Sequence, residues 1–188
     1  MLYTINGKYD LEAENRLELL EKIIDKEKIS IEEKKGEGKF VILSQRDKRW
    51  AYQKIGQSDI TVGDYGCTIT SISMFSSWYG KFHNPEWMAK HLSFTKDGLL
   101  IWKSITDSEL PMRFVYRYYT RDDNKIQEIL KSKDGACLLQ VNNGKHWVAL
   151  TGYSKLHGYK VADPYYGDSI WLKSRYPNIT GFTELVRK

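Results

Sequence analysis

Cys67 is the residue of this chain best suited to covalent chemistry. It follows the turn-forming stretch Gly63-Asp64-Tyr65-Gly66 and opens a run to Trp78 in which Ile69, Ile72, Met74 and Phe75 mark a helix. A sulfur at a helix N-terminus meets free amide groups and partial positive charge, which favour thiolate over thiol. Gly66 is expected to leave room for a substrate. A thiolate nucleophile needs an imidazole to hold an ion pair with it and later to protonate the leaving group. Of the four histidines, His146 has that setting, opening the apolar strand Trp147-Val148-Ala149-Leu150 just after the turn Asn142-Asn143-Gly144. His83 and His157 read as solvent-exposed turn residues, and His91 as a helix-surface residue.

The imidazole in turn needs an acceptor to orient it. Asp163 stands where the chain leaves the strand 159–162 for Pro164. If the hairpin turns at 154–158, residues 146 and 163 meet at its open end, where neighbouring strands lie ~4.8 Å apart. A one-residue slip in register would point one of them away. Gln45, just after an apolar stretch, offers an amide N–H to stabilise an oxyanion. Taken singly, each has an ordinary structural reading: a small buried hydrophobe, an Asp-Pro turn, a surface glutamine.

The elements that must position these residues are legible in outline. An Asn-Gly pair at 6–7 marks a hairpin over residues 2–9, and the apolar spacing predicts a helix over 11–28. Residues 32–38, polar and glycine-punctuated, read as a linker, dividing an acidic appendage (1–38) from a main domain (39–188). In the main domain the pattern predicts a strand at 39–43, helices at 67–78, 85–92 (capped by Asn84), 99–105 and 123–132, and a strand at 112–119. From Ala136 the pattern is an antiparallel meander, with strands at 136–141, 146–153, 159–162, 169–172 and 182–186. Helices first and strands last give an α+β fold.

Composition narrows the function classes. With 188 residues, 41% hydrophobic and 13% aromatic, the chain has the core material of one globular domain plus an appendage, which excludes a disordered protein. Its longest aliphatic or aromatic runs span four residues, far short of the ~20 that cross a bilayer, so membrane insertion is not expected. Neither is a secretory leader, and the reading is cytoplasmic residence or release by lysis. Two cysteines make no disulfide framework, no Cys-x-x-Cys or paired-His spacing suggests a metal, and no cofactor is expected. Net charge is +5, made of −3 over residues 1–38 and +8 over 39–188. A basic body favours polyanionic partners such as wall polymers. Nucleic acid ranks low, because no arginine-rich tract or recognition-helix pattern accompanies the charge.

Gln45 with Asp47 and Trp50, then Gly63-Asp64-Tyr65-Gly66-Cys67, then His146-Trp147-Val148-Ala149-Leu150-Thr151-Gly152-Tyr153, then Val161-Ala162-Asp163-Pro164 with Gly167, resembles the papain-like cysteine peptidases related to double-glycine leader peptidases. The resemblance covers roughly residues 40–186 in the family's order Gln, Cys, His, Asp, and four fragments in sequence are more specific than any one of them. It implies a papain-like fold with helices packed on a C-terminal antiparallel sheet. It also implies Cys67 as nucleophile, His146 as general base and acid, Asp163 as its orienter and Gln45 as oxyanion donor. The implied activity is hydrolysis of a peptide or amide bond, with a peptide, a protein or the peptide of peptidoglycan as substrate. The exporter commonly fused to leader peptidases has no counterpart here, and residues 1–38 match nothing in the family. Three alternatives use the same features: a thiol acyltransferase, a non-catalytic wall- or protein-binding module that keeps the fold, and a structural part of a phage or secretion assembly. Specificity is expected from residues 52–65 and 94–119.

Overall fold

The computed structural model describes residues 38–188 together with Arg16, Leu19, Ile29 and Ser30. The hairpin expected over 2–9 and the linker residues 32–37 lie outside the described residues; of the helix expected over 11–28, only Arg16 and Leu19 are described, both helical.

A helical layer comes first: α1 (Val62–Tyr65), α2 (Cys67–Trp78), α3 (Pro85–His91) and α4 (Lys103–Asp107). The central helix α2 is buried over all its residues but Thr68. Its sequence mixes apolar residues with serines, and the serines can be buried because their hydroxyls find backbone acceptors. Ser76 Oγ donates to Ser73 O at 2.8 Å and Ser77 Oγ to Met74 O at 2.7 Å. Helix α3 starts where the sequence places it: the Asn84 side chain accepts from Trp87 N at 2.7 Å, with Pro85 in the first turn.

The sheet follows: β1 (Ile29–Ser30), β2 (Met112–Tyr118), β3 (Gly135–Val141), β4 (His146–Ser154), β5 (Gly158–Asp163), β6 (Asp168–Trp171) and β7 (Gly181–Arg187), with α5 (Asp123–Lys131) between β2 and β3. Its order is β2-β7-β3-β4-β5-β6, all antiparallel, and β1 pairs with the far end of β4 at Tyr153 and Gly152. Strands β3 and β4, central and almost wholly buried, pack between α2 and α5. This is the α+β, papain-like architecture expected, with three local corrections.

Residues 39–43 form no strand. Their backbone donors go to the end of α2 instead: Gly38 N–H to Trp78 O at 3.1 Å and Val41 N–H to Ser77 Oγ at 3.0 Å. Phe40 packs edge-on against Phe75 and Leu43 is buried, while Val41 and Ile42 are each 40% exposed, so only the ends of the apolar run are covered and no ladder forms. The helix expected at 99–105 begins at Lys103, because Asp97-Gly98 forms a turn, with Gly98 at φ +78°, that pairs Leu100 with Phe94. Finally, Leu172 leaves the last short strand for a 3₁₀ turn, Leu172–Ser174.

Candidate active site

Cys67 is the first residue of α2, where the amides have no intrahelical acceptor and the helix dipole is positive. Helix α1 sets this start. Thr61 caps it by accepting from Asp64 N, and Gly66 N–H bonds Val62 O at 2.8 Å, turning the chain directly into α2. Gly66 does not make room for substrate, as the sequence suggested. A Cβ there would lie 2.4 Å from Val62 O, so the glycine makes room for α1 itself.

His146 and Asp163 come together through a β-bulge. Between β4 and β5, Leu150 faces Val161 but Gly152 faces Lys160, leaving Thr151 as an extra residue on β4. Counted from the turn without that residue, positions 146 and 163 fall on opposite faces; with it they share one. His146 Nε2 then lies 2.9 Å from Asp163 Oδ1. With Nε2 so engaged, Nδ1 is the nitrogen left for Cys67, which lines the same cleft. Burial pulls the His146 pKa down, but hydrogen bonds to Asp163 and Cys67 outweigh it and push the value up to about 9.

Asp163 is fully buried, and burial alone would raise its pKa; hydrogen bonds from His146, Tyr176 and Arg175 instead hold it at about 2. Arg175 and Tyr176 are functional neighbours that sequence reading missed. Both follow the 3₁₀ turn, whose Leu172 carbonyl accepts from each of their amides. No motif or spacing singled out one Arg and one Tyr from so many in the chain.

Gln45 is 1% exposed and pinned at both ends. Its backbone N–H bonds Pro164 O at 2.7 Å, and its Nε2 donates to Gly63 O at 2.9 Å. It thereby ties the turn after Asp163 to the turn before Cys67. Nε2 carries a second hydrogen, and Gln45 lines the same cleft as Cys67, whose backbone amide stands at the start of α2.

Cys67, His146 and Gln45 line one cleft of roughly 580 Å³, walled by Tyr65, Tyr165, Tyr166 and the Asn142–Asn143 turn. Of the segments expected to shape specificity, only Asp64 and Tyr65 reach it, and none of 94–119 does. The walls come instead from three turns at the strand ends, at 142–145, 165–166 and 175–178. The other histidines stand apart from this cleft. His91 and His157 are exposed as expected, but His83 is not. Its ring is 11% exposed and tilted against Trp87 at 4.0 Å, because its backbone closes onto Ser76. Burial without an adequate partner pushes its pKa down. Among the described residues no helix is long and apolar enough to cross a membrane, and no group of three or more His, Cys, Asp or Glu is arranged to hold a metal.

A thiol at a helix start, an imidazole in the same cleft, an ionised carboxylate behind the imidazole and amide donors lining it form a set able to perform acyl transfer. Comparison with curated proteins and with solved structures finds no match. A family model described as Peptidase_C39 like matches residues 39–185. That stretch supplies every side chain of the cleft, and the chain belongs to this peptidase-related family.

Proposed function

We propose that this protein is a cysteine peptidase or amidase that hydrolyses a peptide or amide bond through a thioester acyl-enzyme. The Cys67 thiolate attacks the scissile carbonyl carbon, forming the C–S bond. The Gln45 side-chain amide and the Cys67 N–H receive the oxyanion. Imidazolium of His146 gives its proton to the departing nitrogen as the C–N bond breaks. Water, losing a proton to His146, then attacks the thioester, releasing the carboxylate and restoring the thiolate–imidazolium pair. Asp163 stays ionised throughout and keeps the ring oriented.

The observation that carries this reading is the convergence of Cys67, His146 and Gln45 on one cleft, with Asp163 bonded behind the imidazole at 2.9 Å. Hydrolysis is favoured over transfer to an amine by how open that cleft is: Tyr65 is 67% and Tyr166 57% exposed, so water reaches the thioester freely. The substrate is a peptide chain, free, in a protein or in peptidoglycan.

The test is incubation of the protein and its Cys67→Ala variant with casein and with wall sacculi, followed by mass spectrometry for new amino termini and for an acyl adduct on Cys67. New termini from the parent only, with the adduct, are expected. Equal release by both proteins, or binding to sacculi with neither cleavage nor adduct, overturns the proposal, the latter in favour of a binding module.

A further inference from the structure

A carboxylate with no solvent exposure and only an imidazole for company would be driven toward its neutral form. Asp163 avoids this by receiving four donors. Oδ1 accepts from His146 Nε2 at 2.9 Å and from Tyr165 N–H at 3.0 Å. Oδ2 accepts from Arg175 Nη1 at 2.8 Å and Tyr176 Oη at 2.6 Å. Oδ1 thus takes the imidazole and the local turn, Oδ2 the two residues beyond the 3₁₀ turn, and two donors on each oxygen hold the carboxylate plane against rotation.

The two donors on Oδ2 differ in kind. Arg175 is charged at every working pH, so it fixes a positive charge beside Asp163 that does not depend on the state of His146. Its own geometry is fixed in turn: Nη1 and Nη2 fork onto Asp168 at 3.0 and 2.7 Å, and the guanidinium lies 3.9 Å from the centre of the Tyr166 ring. Tyr176 is neutral and adds position. Its hydroxyl holds Asp163 while its ring stands 5.7 Å from that of His146, so one rigid side chain gauges the distance between acceptor and imidazole. Both residues border the cleft, but the polar atoms described here are engaged on Asp163 and Asp168.

We propose that Arg175 and Tyr176 are positioning residues of the Cys67 site: through Asp163 they hold the imidazole where it forms an ion pair with the sulfur. This rests on the hydrolase reading above. The charged and titratable groups facing Asp163 are His146 from β4, with Cys67 behind it, and Arg175 and Tyr176 from beyond the 3₁₀ turn. Asp168 of β6 faces it through Arg175.

The experiment measures the rate of Cys67 alkylation by iodoacetamide from about pH 4 to about pH 9, which spans the ordinary histidine and thiol ranges. The proteins are the parent, Arg175→Gln, Arg175→Lys, Tyr176→Phe and His146→Ala, each with a thermal melt. The parent's profile has an acid limb set by the imidazole, and His146→Ala displaces it. Arg175→Gln moves the acid limb upward and slows labelling at mildly acidic pH by about tenfold, the loss of a charge-assisted hydrogen bond. Arg175→Lys restores most of the rate, and Tyr176→Phe shows a smaller shift in the same direction. A structural role alone would lower the melts and leave the profiles superimposed on the parent's, which overturns the proposal. If Arg175→Gln does not fold, Tyr176→Phe and Arg175→Lys decide it: parent-like behaviour of Tyr176→Phe is the negative result. A parent profile that His146→Ala leaves unchanged refutes the hydrolase reading itself.

Discussion

Cys67 and Cys137 are both buried, at 8% and 2% exposure, yet they stand in opposite kinds of interior. Cys137 sits mid-strand in β3 between Ala136 and Leu138, opposite Glu184 of β7, and its Sγ reaches Leu138 O at 3.7 Å. Desolvation pushes its thiol far up, so that it is a small hydrophobe. Cys67 sits at a junction, where the start of α2, the end of β5 and the mouth of β4 deliver an imidazole, a carboxylate and an amide to one place. Burial of the sulfur is shared; the partners buried with it are not. The two mostly buried histidines repeat the lesson. Burial lowers both, but Asp163, buried and bonded to His146 at 2.9 Å, outweighs it, whereas the exposed Glu109, 3.8 Å from His83, does not, and His146 ends high where His83 ends low.

The sharpest way to break this contrast is to ask which thiol reacts first. In folded protein at neutral pH, iodoacetamide should label Cys67 at least about a thousandfold faster than Cys137, because the latter is reached only when the sheet opens. Cys67→Ala should remove native-state labelling, and Cys137→Ala should leave it intact. Peptide mapping of the alkylated protein reads this directly. Labelling of Cys137 at a comparable or greater rate would mean that the sheet centre is not the closed interior described.

What the sequence revealed of each region differs for a physical reason. The helix at Cys67 and the strands carrying His146 and Asp163 were legible because local periodicity and turn residues write them. The shared face of His146 and Asp163 was not, because it depends on Thr151, an ordinary strand residue whose extra place in the ladder shows only once β5 is laid beside β4. Arg175 and Tyr176 were invisible for the same reason: their meaning lies in Asp163, twelve and thirteen residues back. The misread strand at 39–43 shows the converse, since an apolar run cannot say whether its backbone pairs with a strand or caps a helix.

The next test of the junction is steric. Gly66→Ala places a methyl 2.4 Å from Val62 O and 2.6 Å from Val62 Cγ1. Backbone on one side and a buried side chain on the other leave little relief, so the variant should lose about 3 kcal/mol by chemical denaturation, the upper range of overpacking. It should also slow Cys67 labelling, because α1 is displaced from the start of α2, while labelling of Cys137 in the folded state stays negligible. A variant as stable as the parent would show that the α1–α2 turn is looser than its geometry implies.

The last contrast is the dependence of stability on pH, where the two regions act at opposite ends of the scale. Asp163 is depressed from 3.8 to about 2, so its contribution is fully present above the ordinary carboxylate range and is lost as pH falls through that interval, about 2 kcal/mol at most. His146 is raised from 6.5 to about 9, so what it contributes is present below 6.5 and disappears as pH rises to about 9. Cys137 is raised from 9.0, so the unfolded chain releases that proton first and stability falls further above pH 9. The buried tyrosines Tyr79, Tyr159 and Tyr176, raised from 10.0, extend the fall from there. Denaturant midpoints measured across pH should therefore show an acid arm that Asp163→Asn flattens and Cys137→Ala leaves alone. The arm just above pH 9 should respond in the reverse way. An acid arm untouched by Asp163→Asn would mean that this carboxylate is not held ionised by the folded protein, and the ionic junction at Cys67 would then differ from the sheet centre in position only.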